Sequence, residues 1–250
     1  MNSATFSLFS RVPGLIQAFS DKNSGNLSPV KKKENFNLTL NKNINSFINK
    51  LNIPHSKIVF MEQIHGNFIA NCDNDCAGHW IPGIDGLVTK EKNLFLCVNT
   101  ADCVPLFFVD PESKIIAVAH SGWQGTYKKI AKLMVERIIK HGGNQKKLLI
   151  GLGPSICSDC YNVSKSRQEI FIKKYGLDKK LYPKRNNQYF LDLKAINVKI
   201  LLEAGVKPGN IEISPFCTSC QNDLFFSYRN KKKDTYGEML GVIGFKNEKI

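Results

Sequence analysis

Three side chains able to share a metal stand out: His65 in EQIHGN, Cys103 in NTADCVPLFFV and His120 in KIIAVAHSGW. A thiolate and two imidazoles suit zinc, at about 2.3 Å for sulfur and about 2.0 Å for nitrogen, and three protein ligands leave the fourth tetrahedral position for water, as in catalytic sites. Water held there has a pKa near about 7 and serves as nucleophile or proton donor. Local geometry places two of the ligands. Asp110-Pro111-Glu112-Ser113 fits a type I turn. If it closes a two-residue hairpin, Cys103 faces His120 further along the ladder, with Cβ atoms about 4.5–5.5 Å apart; a bulge would shift that register. His65 ends an apolar strand beside Gly66 and supplies the third ligand. Asp102 is then available as a general base or as a hydrogen-bonding support. Spacing alone leaves other readings open. Cys103 and His120 also suit a metal-free nucleophile and base, and taken singly a strand-end Cys or a lone His is commonly a buried or hydrogen-bonded structural residue.

The remaining cysteines offer two further groupings. Cys157-x-x-Cys160 and Cys217-x-x-Cys220 are two CxxC pairs that in another setting would signal a four-cysteine zinc site, but their separation is long for a zinc ribbon, and no thioredoxin-like unit surrounds either for redox work. Cys72, Cys76 and His79 also have ligand chemistry, in a polar loop expected to lack order. Trp123 and Phe226 either stack on an aromatic substrate or fill the core. Gln63 and Ser121 are candidates to touch a substrate or the metal-bound water. GLGPS at 151–155 is too short for a phosphate loop.

The elements that position these residues read as follows. Apolar runs at 94–99, 104–109 and 114–119 predict three strands of one buried sheet. Further strands are expected at 57–64, after Asp85-Gly86, from 147, and at 211–213, 224–228 and 240–245. Helices are expected at 43–51, capped by Asn43 or Asn45; at 126–140, where Ile130, Met134 and Ile138 recur every four residues; at 164–175, with Ser166 and Glu169 in capping-box spacing; and at 193–204, opened by Asp192. Helices and strands interleave without a strict βαβ rhythm, so the class is α+β with mixed sheets. No repeat or linker divides residues 1–250, which predicts a single domain.

Composition narrows the function. At 250 residues and 42% hydrophobic, the chain can bury a sizeable core. No apolar run is long enough for a membrane span and no export signal is visible, so a cytoplasmic protein with reduced thiols is expected. The net charge of +14 invites a nucleic-acid reading, yet of 35 cationic residues only five are Arg, the residue that phosphate and base readers favour. The triple-lysine runs at 31–33 and 231–233 are expected to be solvated loops.

In order along the chain, MEQIHGN, GIDGLVT, NTADCVPLFFVDPESKIIAVAHSGWQGT, IGLGPSICSDCYNV and LFFSYR resemble the polyphenol oxidase (laccase-domain) family, also called purine nucleoside phosphorylase YlmD/YfiH-like or peptidoglycan editing factor. The likeness runs from about residue 10 to 245, and the TADC to AHSGW block is highly specific. It implies four layers, α/β/β/α, with two mixed sheets, and zinc on His65, Cys103 and His120, the residues reached above. It also implies phosphorolysis of adenosine, inosine and S-methyl-5'-thioadenosine to free base and sugar 1-phosphate, with adenosine deamination at the same site. Purine nucleoside and phosphate are then the partners. Copper, the older label of the family, suits the donors by affinity, but three ligands around one metal do not make a multicopper centre.

Three positions where the family customarily carries arginine hold Lys22, Gln124 and Glu238 here. If any of those arginines clamps phosphate, its bidentate recognition is lost and Glu238 repels the anion. Arg229 remains for that role. The alternatives are an editing hydrolase of peptidoglycan precursors, a zinc-binding relative without phosphorolysis, and a Cys–His hydrolase.

Overall fold

A computed structural model describes residues 5–29, 41–176, 178, 181–230 and 236–246. Both triple-lysine runs lie outside these. The longer strands and those around them are β1 (Leu15–Phe19), β2 (Ile58–Met61), β3 (Ile69–Asn71), β4 (Trp80–Ile81), β5 (Gly86–Thr89), β6 (Phe95–Thr100), β7 (Val104–Asp110) and β8 (Ile115–Ser121). They are followed by β9 (Leu149–Leu152), β10 (Asn162–Val163), β11 (Lys184–Arg185), β12 (Gln188–Phe190), β13 (Ile211–Ile213) and β14 (Met239–Phe245). The helices are α1 (Lys42–Lys50), α2 (Trp123–Tyr127), α3 (Ile130–Lys140), α4 (Lys165–Tyr175) and α5 (Leu193–Glu203). None of them is long and apolar enough to cross a membrane.

Two large mixed sheets stack face to face. One has the order β1-β14-β6-β2-β4 and the other β13-β9-β7-β8-β5-β3; a small third sheet joins β10, β12 and β11. Alternation along the strands assigns the layers. Leu96, Val98 and Ile243 of the first sheet meet Phe107, Val109, Ile116 and Val118 of the second. Phe95, Cys97 and Val242 point the other way, onto Ile44, Phe47 and Ile48 of α1. Leu106, Phe108, Ala117 and Ala119 point onto α3 and α5 through Met134, Ile138, Ile196 and Ile200. This is the four-layer α/β/β/α arrangement. Strands covered on both faces need apolar residues at every position, which explains why these segments read as unbroken apolar runs.

The expectation of a single sheet for the three central runs is wrong. β6 belongs to the first sheet, while β7 and β8 belong to the second. The chain changes sheets through Ala101, Asp102 and Cys103, with Asp102 at φ 95°, a turn too tight for a continuing ladder. The hairpin expectation also needs correction. Pro105, not Cys103, pairs with His120, because the β7–β8 loop has four residues between Asp110 and Ile115, with Lys114 in the left-handed region. The displacement is two residues, so the faces are kept and Cys103 still lies on the side of His120.

Smaller differences have local causes. Asn41 caps α1 through the amides of Asn43 and Ile44, and Ser164 caps α4 through Arg167 N. The expected helix over 126–140 is two helices with Lys129 left-handed between them; at the break the Tyr175 hydroxyl donates to the carbonyls of Thr126 and Tyr127, the first of which also accepts from Lys129 N. Residues 224–228 form no strand; Phe225 N bonds to Gln221 O and Phe226 N to the Met239 sulfur, a chain of turns rather than a ladder. The 71–83 loop is built, with a 3-10 turn at Asn74–Cys76, strand β4 and a buried Cys72.

Asp110 ties the hairpin to the end of α3. Its buried carboxylate accepts from Glu112 N at 3.0 Å, Ser113 N at 3.1 Å and Asn144 N at 2.7 Å. Asp110→Ala leaves these amides without it and is expected to lower the unfolding free energy by about 2–3 kcal/mol. Urea titration reads this as a lower midpoint at unchanged slope; a midpoint equal to wild type would refute it.

Candidate metal centre

The site begins with a buried carboxylate. Asp85 immediately precedes β5 and is fully shielded from solvent. Its Oδ1 accepts from His65 N at 3.0 Å and from His120 Nδ1 at 2.7 Å, while Oδ2 accepts from Gly66 N at 2.6 Å and Ile64 N at 3.3 Å. The loop bearing His65 is thereby wrapped around the same acid that orients His120. His65 itself takes the left-handed conformation, φ 58°, to make the wrap. With Nδ1 of His120 engaged, Nε2 is left for a ligand. Burial opposes ionisation of Asp85, but His120 and the amides of Gly66 and Ile64 outweigh it and hold the carboxyl below its usual range.

Cys103 enters from the corner between the sheets. Sγ of Cys103 and a ring nitrogen of each histidine all lie within 4.8 Å of one another. The histidine rings meet edge to face, centroids 4.8 Å apart. Gly122 makes this closeness possible. A Cβ there would stand 3.0 Å from Cys103 Sγ and 3.2 Å from His65 Cδ2. Burial disfavours the Cys103 thiolate, yet the two histidines bring the thiol down to about 7. Burial likewise disfavours charge on His120, which the thiolate and Asp85 raise to about 10. A thiol so inclined to ionise is in the form that binds metal. Donor set, spacing and the glycine cradle all fit a single tetrahedral ion with one open position.

The three residues form the floor of a cavity of about 500 Å³, whose walls include Gln63, Asn99, Thr100, Asp102, Trp123, Ile156, Tyr161, Arg167, Tyr228, Arg229, Tyr236 and Glu238. Asp102 is engaged at both oxygens, accepting from Thr218 Oγ1 at 2.6 Å and from Arg229 N at 2.7 Å. Gln63 lines the cavity with its amide paired to the backbone of Asn99, at 2.8 and 2.9 Å. Arg229 donates to Asn162 O at 2.7 Å and stacks 5.0 Å from the Tyr161 ring centroid. Thr100 Oγ1, buried in the wall, is without a hydrogen-bond partner among the described residues.

Other expected residues lie elsewhere. Ser121 alternates away from His120 and is buried in a network with Thr126 and Asn197, outside the lining of the cavity. Phe226 packs into the core between the sheets, under Lys22, whose Nζ donates to Asn222 O. Gln124 stays on α2, away from the cavity wall. Glu238 does line the cavity and accepts from the Tyr236 hydroxyl at 2.6 Å. Cys72, Cys76 and His79 do not gather as a metal-capable group among the described residues.

Sequence reasoning missed Asp85, Gly122 and Arg167. Arg167, on α4, lies 4.3 Å above the Trp123 ring. Its signal was scarcity: two of only five arginines face one cavity.

Two substitutions test the geometry. Gly122→Ala is expected to spread the ligands and reduce metal content while circular dichroism stays native; full metal retention would contradict the cradle. Asp85→Asn turns an acceptor into a partial donor facing amides, and a loss of metal affinity of about 10- to 100-fold is expected in a chelator competition.

Residues 10–246 match the family model described as multi-copper polyphenol oxidoreductase laccase. The chain is similar to a protein named purine nucleoside phosphorylase YlmD from Bacillus subtilis (strain 168), 36% identical over 197 residues, which are 75% of this chain and 70% of that one. It is also similar to one named adenosine deaminase RL5 from an unknown prokaryotic organism, 40% identical over 152 residues, 60% of this chain and 58% of that one. Among solved structures, YlmD from Geobacillus stearothermophilus superposes with a TM-score of 0.82 at 29% identity, covering 97% of this chain and 94% of that one. Bacillus licheniformis hypothetical protein YfiH gives 0.81 at 30% identity, covering 93% of each. Matched over nearly its whole length in both sequence and fold, the chain belongs to the multi-copper polyphenol oxidoreductase laccase family.

Proposed function

We propose that this protein is a zinc-dependent, nucleoside-processing enzyme: a purine nucleoside phosphorylase acting on adenosine, inosine and S-methyl-5'-thioadenosine, with adenosine deaminase activity. The observation that carries this reading is the His65–Cys103–His120 cluster at the floor of a cavity walled by two arginines and several aromatic rings. The names of the relatives support the substrate class. One thiolate and two imidazoles around a single position support zinc over a copper array.

A zinc ion held by His65, Cys103 and His120 would supply Lewis-acid activation at its open position. The side chains supply the rest. Trp123 and Tyr161 carry Arg167 and Arg229 on their ring faces, and the exposed ring of Tyr228 in the same wall offers a flat surface to a purine. The Thr100 hydroxyl offers the wall an uncommitted polar group. In phosphorolysis a phosphate oxygen bonds to ribose C1′, the bond from C1′ to the purine nitrogen breaks, and the base leaves with a proton; Arg229 and Arg167 are the cations placed to hold the phosphate. Asp102, with both oxygens engaged, acts by positioning Arg229 and Thr218 rather than as a general base.

Glu238 favours a second reading of the same site. A carboxylate in the wall opposes an anionic co-substrate, whereas deamination replaces the amino group at purine C6 with water, releases ammonia and needs no anion.

The test is metal content of wild type and Cys103→Ala by mass spectrometry, together with chromatography of adenosine incubated with and without phosphate. One zinc lost in the variant and phosphate-dependent adenine release are expected. Arg229→Ala and Arg167→Ala should raise the KM for phosphate about 10-fold or more and leave inosine formation less affected. Inosine without phosphate dependence would select deamination. Turnover of neither kind by metal-loaded protein would sink the nucleoside reading.

A further inference from the structure

Outside the cavity, four sulfurs converge. Those of Cys157, Cys160, Cys217 and Cys220 all lie within 4.8 Å of one another, with Cys160 and Cys220 at 3.3 Å and Cys157 and Cys220 at 3.9 Å. A zinc ion bonded to four sulfurs at about 2.3 Å spaces them about 3.8 Å apart. The separation of sixty residues between the pairs is resolved by topology. Strands β9 and β13 are parallel neighbours, with Leu152 beside Ile213. Parallel neighbours release their chains at the same edge, so the two CxxC loops emerge side by side and meet in the bridge between Ser155 and Cys217.

The surroundings fit a metal thiolate. Backbone amides of Cys157 and Cys220 point at Cys217 Sγ, at 3.3 and 3.4 Å. Amides directed at sulfur stabilise the thiolate over the thiol. Lys194, a nearly buried cation, donates to Ser214 O and Phe216 O, the carbonyls leading into Cys217, and offsets the negative charge that four thiolates leave on a divalent ion.

We propose that these four cysteines bind a second, structural zinc ion that fastens together the two loops forming one wall of the cavity. The loops it would join carry that wall. Ile156 N bonds to Asp102 O, Thr218 Oγ1 to Asp102 Oδ1, Asn230 Nδ2 to Ser219 O, and Arg229 to Asn162 O. Closed by four side chains, this centre has no open position for chemistry.

The experiment measures zinc and iron per chain in wild type, in Cys160→Ser/Cys220→Ser and in His65→Ala/Cys103→Ala. The second double variant lacks the first site, so its metal reports on the four cysteines independently of the function proposed above. It is expected to keep one zinc, to show the thiolate-to-cobalt charge transfer of four sulfurs after cobalt exchange, and to protect its thiols from iodoacetamide until a chelator is added. Cys160→Ser/Cys220→Ser is expected to lose one zinc and keep the other. Should that variant fail to fold, the His65→Ala/Cys103→Ala measurements decide. A folded His65→Ala/Cys103→Ala protein without zinc, with iron in its place, with thiols equally reactive before and after chelation, or with a disulfide joining the pairs would overturn the proposal.

Discussion

The carboxylate of Asp85 joins two parts of the chain that have no other reason to meet. One oxygen pair receives three consecutive backbone amides from the His65 loop and the ring of His120. Shielded from water, an acid with that many donors is far better satisfied in this geometry than in any other nearby, and an acid left without them would cost several kcal/mol. The loop conformation, the tautomer of His120 and the direction of both imidazoles follow from this one group. Asp102 plays the corresponding part on the opposite wall, binding the Thr218 and Arg229 segments to the corner that carries Cys103. Two buried carboxylates thus convert loops from distant stretches of chain into one rigid enclosure.

How much of this was legible depended on whether the signal was local. The buried strands were readable because strands sandwiched between sheet and helices must be apolar throughout, and α3 because Ile130, Met134 and Ile138 recur at helical spacing, whereas the four layers followed only from the family resemblance. The three converging side chains were readable because few residue types have metal-ligand chemistry. The hairpin register was misjudged by two, since a sequence does not show whether Lys114 will adopt a left-handed turn, yet a shift of two leaves faces unchanged, so Cys103 stays on the side of His120 although Pro105 is the ladder partner of His120. Assigning β6 to the wrong sheet has the opposite character. Nothing in three apolar runs separated by short breaks distinguishes a meander from a change of layer; only the strain at Asp102 does, and it is a tertiary fact. Asp85 went unnoticed because an acid before a glycine looks like a turn, and its four donors come from elsewhere in the chain. Ser121 follows His120 in sequence but strand alternation turns it away, and of the two readings of Phe226 core packing is the one observed.

The basic composition reads differently in the folded protein. Lysines are spread over the surface, and those near aromatic rings, such as Lys174 over Tyr127 and Lys114 over Phe245, cover apolar faces with their stems. Arginine, by contrast, is scarce, and two of the five, Arg167 and Arg229, line the cavity. The division of labour between the two cations is visible only when charge is sorted by side chain rather than summed.

Strand β14 lies in the middle of the first sheet, between β1 and β6, although it comes near the end of the sequence. During synthesis, β1 and β6 emerge long before the strand that separates them; β6 can already pair with β2, but its other edge and the whole of β1 wait until residues 239–245 have left the ribosome. Tyr236 and Glu238, at the cavity wall, arrive only just before that strand. The nascent chain therefore carries two incomplete sheet edges and no enclosed cavity through most of translation. Ligand binding can begin only with the last step of assembly, so a prematurely stopped chain is left with unpaired edges rather than with partial activity.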